Sequence, residues 1–406
     1  MEYQTFSLKN GIKVIHQPVD SPVAHFGIIM NTGSRDEQDA EQGLAHFIEH
    51  TIFKGTKKRK SFQVINRLED VGGELNAYTT KEETAIFATF LSEFYTRVIE
   101  LISDIVINAS FPEKEISMEK EVIIEEINSY NDSPSELIYD EFEELVFDGH
   151  PIARNILGTP KKVRSFNRKA IEAFIRRNYH THELVICSVG KINPLRFKKT
   201  VANYFEQMTE KRDERIRIPF SGYRPKRLEI SKDTFQSHCI VGTESYQLDH
   251  PQRLPMVLLS NILGGNSMNS RLNMSLREKN GLVYSVEANY TPYTDTGIFM
   301  VYFGTERNNL YKALALVESE FKTLRNKKLG PQMLAKAKKQ LIGQLAIANE
   351  NREDLMLTLG RSYLYFNKVD SLAEVFQKID QITAEDLYAI ANETLDEANL
   401  SKLIFL

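Results

Sequence analysis

The sequence predicts an α+β protein made of two homologous domains, each an antiparallel sheet with helices on one face. Three observations lead there. The chain has 406 residues, too many for one ordinary core. A polar stretch over 209–227, carrying Pro219, Gly222 and Pro225, separates two halves of similar length. The halves then repeat one order of periodic segments, as an internal duplication would. This places an N-terminal domain at 1–212, a linker at 213–226 and a C-terminal domain at 227–406.

The elements follow in order. The N-terminal run MEYQTFSLKNGIKVIHQ reads as a hairpin strand and has no charged-then-apolar signal pattern. A helix over 44–53 is apolar nearly all round, so it should be buried. Strand pattern over 74–90 precedes an amphipathic helix over 92–108. The second half repeats this with strand pattern over 281–303 and a helix over 308–324. Pro112 and Pro331 each open a long helical pattern, as proline does at a first turn. Ser133-Pro134-Ser135-Glu136 reads as a capping box that starts another helix. Each half closes on a helix and a strand: 168–178 with 184–189, then 383–393 with 400–406. Leu137 and Leu355 each lie 11 residues beyond Glu126 and Gln344. The segment over 44–55 aligns as well, with Gly55 opposite Gly265.

Composition narrows the function classes. Apolar content of 42% and charge of 26% are those of a globular protein. A net charge of −4 argues against general nucleic-acid binding. No apolar run reaches membrane-spanning length. The two cysteines, Cys187 and Cys239, form neither a ligand cluster nor a disulfide framework. Together these predict a soluble cytoplasmic protein with no nucleic-acid or membrane partner.

The chemistry lies in His46-Phe47-Ile48-Glu49-His50. Imidazoles at i and i+4 share one helix face and can reach one cation. Glu49, on the edge of that face, is placed to take a proton from water without being a ligand. The order H-x-x-E-H is an inverted zinc hydrolase signature. A chain of this composition should contain roughly 0.03 such matches by chance. The repeat places Met256, Leu259 and Ser260 opposite His46, Glu49 and His50, so the second half keeps the scaffold without the metal groups.

Catalytic zinc takes three protein ligands and leaves one position open. The helical pattern that follows Pro112 is rich in candidates. Ile116, Val122, Ile123, Ile124 and Ile127 define its apolar face. Glu119 and Glu126 sit near the edge of that face, about 20° apart. Glu121 and Glu125 point away and read as solvated charges. Glu126 is therefore the expected ligand, with Glu119 behind it to orient the site. The basic run 54–60 (KGTKKRK) reads as a solvated loop. Gly264 and Gly265 lack the ending of a phosphate loop.

These motifs together resemble the pitrilysin/insulinase family of zinc peptidases, in particular the processing peptidase β-subunit and its bacterial relatives. The resemblance covers the whole chain. Its carriers are GSRDEQDAEQGLAHFIEHTIFKGT, GGELNAYTTKEETAIFA, EKEVIIEEI, ILGT and NSRLNMSLREKNGLVYS. It implies zinc, one ion per chain, on His46, His50 and Glu126. Glu126 lies 76 residues beyond His50, which matches the family spacing. It implies Glu49 as general base and Glu119 as supporting carboxylate. The family's arginine and tyrosine, spaced R-x6-Y, map to Arg277 and Tyr284. Its substrate-edge strand maps to Asn76 and Ala77. The activity implied is hydrolysis of an extended peptide, bound as an added strand in a clamshell chamber. With all these groups on one chain, a homodimer is expected. Two alternatives remain at this point: a non-proteolytic assembly subunit, and a catalytic subunit that needs a different partner.

Overall fold

A computed structural model describes residues 3–212, 215–232 and 234–406. Asp213 and Glu214, at the start of the expected linker, lie outside the described residues. The chain divides into two compact units. The first holds Met1–Asn128, Arg154–Arg217 and Ile347–Ser371; the second holds Ser129–Ala153, Ile218–Ala346 and Leu372–Leu406. The units thus depart from the linear boundaries read from the sequence, because each includes one segment from the opposite half.

The first unit is built on six strands: β1 (Gln4–Ser7), β2 (Lys13–Pro18), β3 (Val23–Met30), β4 (Glu74–Thr79), β5 (Thr84–Leu91) and β6 (Leu184–Gly190). Their order is β1-β2-β6-β3-β5-β4. The patterns over 74–90 and 281–303 each fold as two antiparallel strands rather than one. β4 pairs with β5 in a register that sets Asn76 against Phe87 and Ala77 against Ile86. β2 and β6 run parallel, so the sheet is mixed.

The second unit has five strands: β7 (Arg227–Ile230), β8 (Ser237–Ser245), β9 (Val283–Pro292), β10 (Gly297–Thr305) and β11 (Ser401–Phe405). Their order is β7-β11-β8-β10-β9. With β1 set aside, the two sheets have one topology. Even the parallel pair recurs, as β7 with β11. Duplication is written in the strand order.

Strand alternation divides each sheet into two apolar faces. In the first unit Val14, Phe26, Ile28, Ile86 and Ile186 face a core filled by helices that include Leu44–Ile52 and Tyr95–Asn108. Ile15, Ile29, Phe87, Val185 and Cys187 face the other way, onto Met356, Leu359 and Leu364 of the helix Arg352–Phe366. The second unit repeats this arrangement. Ile240, Ile298, Met300, Leu403 and Phe405 meet Ile138, Phe142 and Val146 of the helix Pro134–Val146. Helices therefore cover both faces, not one. The helices on the second faces carry Leu137 and Leu355, the residues that align in the repeat. Each half has given its equivalent helix to the other unit's sheet.

The helix Pro134–Val146 starts where proline predicts, but Ser133 makes no side-chain cap. Its carbonyl oxygen accepts the Glu136 amide at 3.0 Å instead. No helix of the described residues is long and apolar enough to cross a membrane.

Truncating a wholly buried ring leaves a cavity. Phe142→Ala should lower unfolding free energy by about 3–5 kcal/mol. Leu195→Ala, at an 80% exposed position, should change it by less than about 0.5 kcal/mol. Equal losses in urea melts would contradict this placement of Phe142.

Candidate metal centre

His46, Glu49 and His50 stand on the nine-residue helix Leu44–Ile52, in the core of the first unit. A helix this short is marginal by itself, so its ends need support. Gly43 starts it in the left-handed region, at φ +93°. A Cβ there would lie 2.6 Å from the Leu157 carbonyl oxygen. Gly158, at φ +72°, faces Gly43 just as closely. This contact explains the ILGT motif. The buried Glu37 carboxylate accepts the Gly43 amide at 3.0 Å and the Ala45 amide at 2.8 Å. It satisfies donors that the helix leaves open, and burial pushes its own pKa up to about 8.

The third carboxylate comes from the helix Glu113–Asn131, whose Ile116, Ile123, Ile124 and Ile127 enter the same core. Val122, expected on that face, is 51% exposed and belongs to the solvent side. Glu126 remains on the edge and turns its carboxylate to the two imidazoles. Its Oε1 lies 3.7 Å from His46 Nε2, and its Oε2 lies 3.4 Å from His50 Nε2. One donor atom from each of His46, His50 and Glu126 lies within 4.8 Å of the others. Tetrahedral zinc with bonds of about 2.0–2.1 Å separates its ligand atoms by roughly 3.3 Å. The residues fit such an ion. Glu126 Oε2 and Glu49 Oε2 are buried without hydrogen-bond partners, as expected of groups that await a cation and a substrate.

Glu119, 6% exposed, bridges His50 and Lys54. Its Oε1 lies 3.0 Å from His50 Nδ1, and its Oε2 lies 2.8 Å from Lys54 Nζ. This fixes the ring with Nε2 directed at Glu126. Lys54 is a role that sequence reasoning missed, and the KGTKKRK run is not simply solvated. Arg59 donates to Glu100 at 2.8 and 2.9 Å and also pairs with Asp104. Lys57, Lys58 and Lys60 are the exposed members. Spacing within the run gave no sign of these partners, which come from distant helices.

The electrostatics suit a metal. Burial lowers the His46 imidazole to about 3, and the charge of His50 adds to this. His46 is therefore neutral, as a ligand must be. Burial also pulls on His50, but the hydrogen bond to Glu119 and the charges of Glu126, Glu119 and Glu49 outweigh it and raise its pKa. Glu119 is held below the usual carboxylate range: burial opposes this, and the contacts to His50 and Lys54 prevail. Burial raises Glu49, toward the range of a working base.

The remaining expected residues lie elsewhere. Asn76 and Ala77 sit on β4, the outermost strand of its sheet, and the metal-bearing helix packs against that strand. Arg277 and Tyr284 belong to the second unit. Arg277 lies in the last turn of a π-helical segment, Asn273–Glu278, and its guanidinium stands 5.9 Å over the Tyr284 ring. Tyr284 is 84% exposed on β9.

Comparison with known proteins identifies the family. Residues 13–160 match the model of "Insulinase (Peptidase family M16)", and residues 165–341 match "Peptidase M16 inactive domain". An uncharacterized zinc protease of Rickettsia bellii is 32% identical over 404 residues, covering 99% of this chain and 97% of that one. This chain belongs to the insulinase family of peptidases, family M16. The zinc protease YmxG of Bacillus subtilis, also uncharacterized, is 28% identical over 97% of this chain and 95% of its own length. Among solved structures, the M16 inactive-domain protein of Pseudomonas fluorescens superposes with a TM-score of 0.93 at 20% identity, covering 100% of this chain and 98% of that one. A protease of Helicobacter pylori gives 0.91 at 22% identity, covering 100% and 99%.

The M16 match also separates the halves as the residues do. In the inactive-domain half, Met256, Leu259 and Ser260 are buried on the helix Arg253–Gly264. Ser260 donates to the Ala288 carbonyl oxygen at 2.8 Å and is satisfied without a metal.

Glu119→Gln should weaken zinc binding by about 10–100-fold, measured by competition with a chromophoric chelator. Unchanged affinity would remove the His50 contact from any account of metal binding.

Proposed function

We propose that this chain is a zinc endopeptidase acting on unstructured peptides. One observation carries the reading: His46, His50 and Glu126 converge within ligand distance of one another, with Glu49 one residue before His50. When bound, zinc polarises the scissile carbonyl and brings the pKa of water to about 7. His46, His50 and Glu126 hold it, and Glu119 keeps the His50 ring aimed. Glu49 takes the proton from the attacking water and delivers it to the leaving amine. Burial raises the affinity of the Glu49 carboxylate for that proton, which strengthens it as a base.

The substrate is an extended segment that adds to the free edge of β4 at Asn76 and Ala77. β4 has one strand partner, β5, and main-chain groups along its other side are the natural template for a further strand. Folded proteins cannot offer such a segment. Unstructured peptides and targeting segments can. Arg277 and Tyr284 supply donors for substrate carbonyls, with Tyr284 as a further donor to the developing oxyanion. The metal set and this pair occur on one polypeptide, which supports a cytoplasmic homodimer that encloses its substrate in a clamshell chamber and needs no different partner chain.

Glu49→Gln should reduce peptide hydrolysis by about 10²–10⁴-fold and leave one zinc bound per chain, read by metal analysis after gel filtration. Hydrolysis at the wild-type rate would refute Glu49 as the base. A purified wild-type chain that binds zinc but cleaves no unstructured peptide would refute the self-sufficient enzyme.

A further inference from the structure

The hairpin that carries β4 is fastened at its tip by more contacts than a surface turn requires. The Thr80 carbonyl oxygen accepts the Ser34 amide at 3.1 Å, and the Lys81 carbonyl oxygen accepts the Arg35 amide at 2.8 Å. Arg35 also pairs with Glu82 at 2.6 Å, both side chains being buried. These contacts fix the turn. They do not reach the strand itself.

A separate cluster does. The Tyr78 hydroxyl donates to Glu83 Oε1 at 2.7 Å. Arg361 Nε donates to that same oxygen at 2.6 Å, and its Nη2 donates to the Tyr78 hydroxyl at 3.1 Å. Its guanidinium stands 5.7 Å from the centre of the Tyr78 ring. Arg361 lies on the helix Arg352–Phe366, 283 residues from Tyr78 along the chain but in the same unit. Alternation along β4 sends Leu75 and Ala77 into the core that contains the metal-bearing helix, while Tyr78 packs with the opposite core. Arg361 thus grips the strand from the face away from the metal.

We propose that Arg361 is a positioning residue for peptide binding, which sets the free edge of β4 through Tyr78 and Glu83. This rests on the reading that substrate adds to β4. An edge strand lacks a partner on one side, so its path is set by one ladder and by what grips its side chains. Two donors from one planar guanidinium fix direction as well as distance. Without them β4 still pairs with β5, but its outer amides and carbonyls no longer stand ready, and the incoming peptide must order them on binding.

The test uses the full chain. Arg361→Met, Arg361→Lys and Tyr78→Phe are compared for peptide KM and kcat. Peptide Kd is measured by fluorescence anisotropy in the Glu49→Gln background, and zinc affinity and thermal midpoint are recorded for each. Arg361→Met should raise KM and Kd about tenfold, with kcat within about twofold and zinc affinity unchanged. Tyr78→Phe should raise them less, and the double variant should not exceed Arg361→Met, because both act through one cluster. Arg361→Lys should recover part of the loss. Unchanged Kd in Arg361→Met and Tyr78→Phe would overturn the proposal. So would a joint fall of kcat, zinc affinity and thermal midpoint, which marks general damage. Substrates N-methylated at alternate amides test the underlying reading separately. If methylation weakens binding and Arg361→Met does not, Arg361 alone is refuted. If methylation has no effect at any position, strand addition is refuted, and the proposal with it.

Discussion

Two imidazoles and a carboxylate must be held in an apolar core on a helix barely longer than two turns, and much of the first unit's polar structure serves that demand. Such a helix has little stability of its own. Buried polar groups on it would be costly if left without partners. Glu37 closes the amino end, Gly43 and Gly158 let two backbone segments meet there, and Glu119 with Lys54 holds the carboxyl end through His50. Around the cluster, burial keeps the His46 imidazole neutral while Glu126, Glu119 and Glu49 act together on His50. A divalent cation resolves both the charge and the buried atoms that lack partners.

The second unit shows the scaffold freed of that demand. Its five strands repeat the order of β2 to β6 in the first sheet, and its counterpart of the metal-bearing helix fills with Met256, Leu259 and the satisfied Ser260. Gln344 occupies the place of Glu126. Its amide donates to Ser267 Oγ at 2.9 Å, tying down the loop before Arg277. A position that holds a charged ligand in one copy holds a neutral loop contact in the other. A carboxylate kept near the core without its cation would carry a desolvation cost for no return.

The exchange of helices gives the duplication a structural consequence. Arg352–Phe366 completes the first unit's sheet on its open face, and Pro134–Val146 does the same in the second. Neither sheet could leave that face to water, since Ile15, Ile29, Val185 and their counterparts would be exposed with it. The exchange also brings Arg361 to β4. The strand beside the metal cluster is thereby held by a residue from the far end of the chain.

Much of the site was legible in the sequence because it is local. His46, Glu49 and His50 follow from spacing on one helix, and Glu126 from its angle to the isoleucines of another. The two-domain α+β class followed from repeated periodicity. The misreadings share one cause. Val122 has the period of the apolar face yet is exposed, and Lys54 and Arg59 lie in a charge run yet are paired, because periodicity and charge runs do not reveal what lies opposite. Glu37 and Arg361 gave no local signal at all, since their partners are set by the fold. The sequence by itself determined which residues can ligate a metal and that two copies of one scaffold exist, because side-chain chemistry and period are properties of neighbours along the chain. Only the tertiary structure decided which copy's helix covers which sheet and which distant charges steady the metal-bearing helix and the edge strand, because those depend on contacts between residues that the chain order keeps apart.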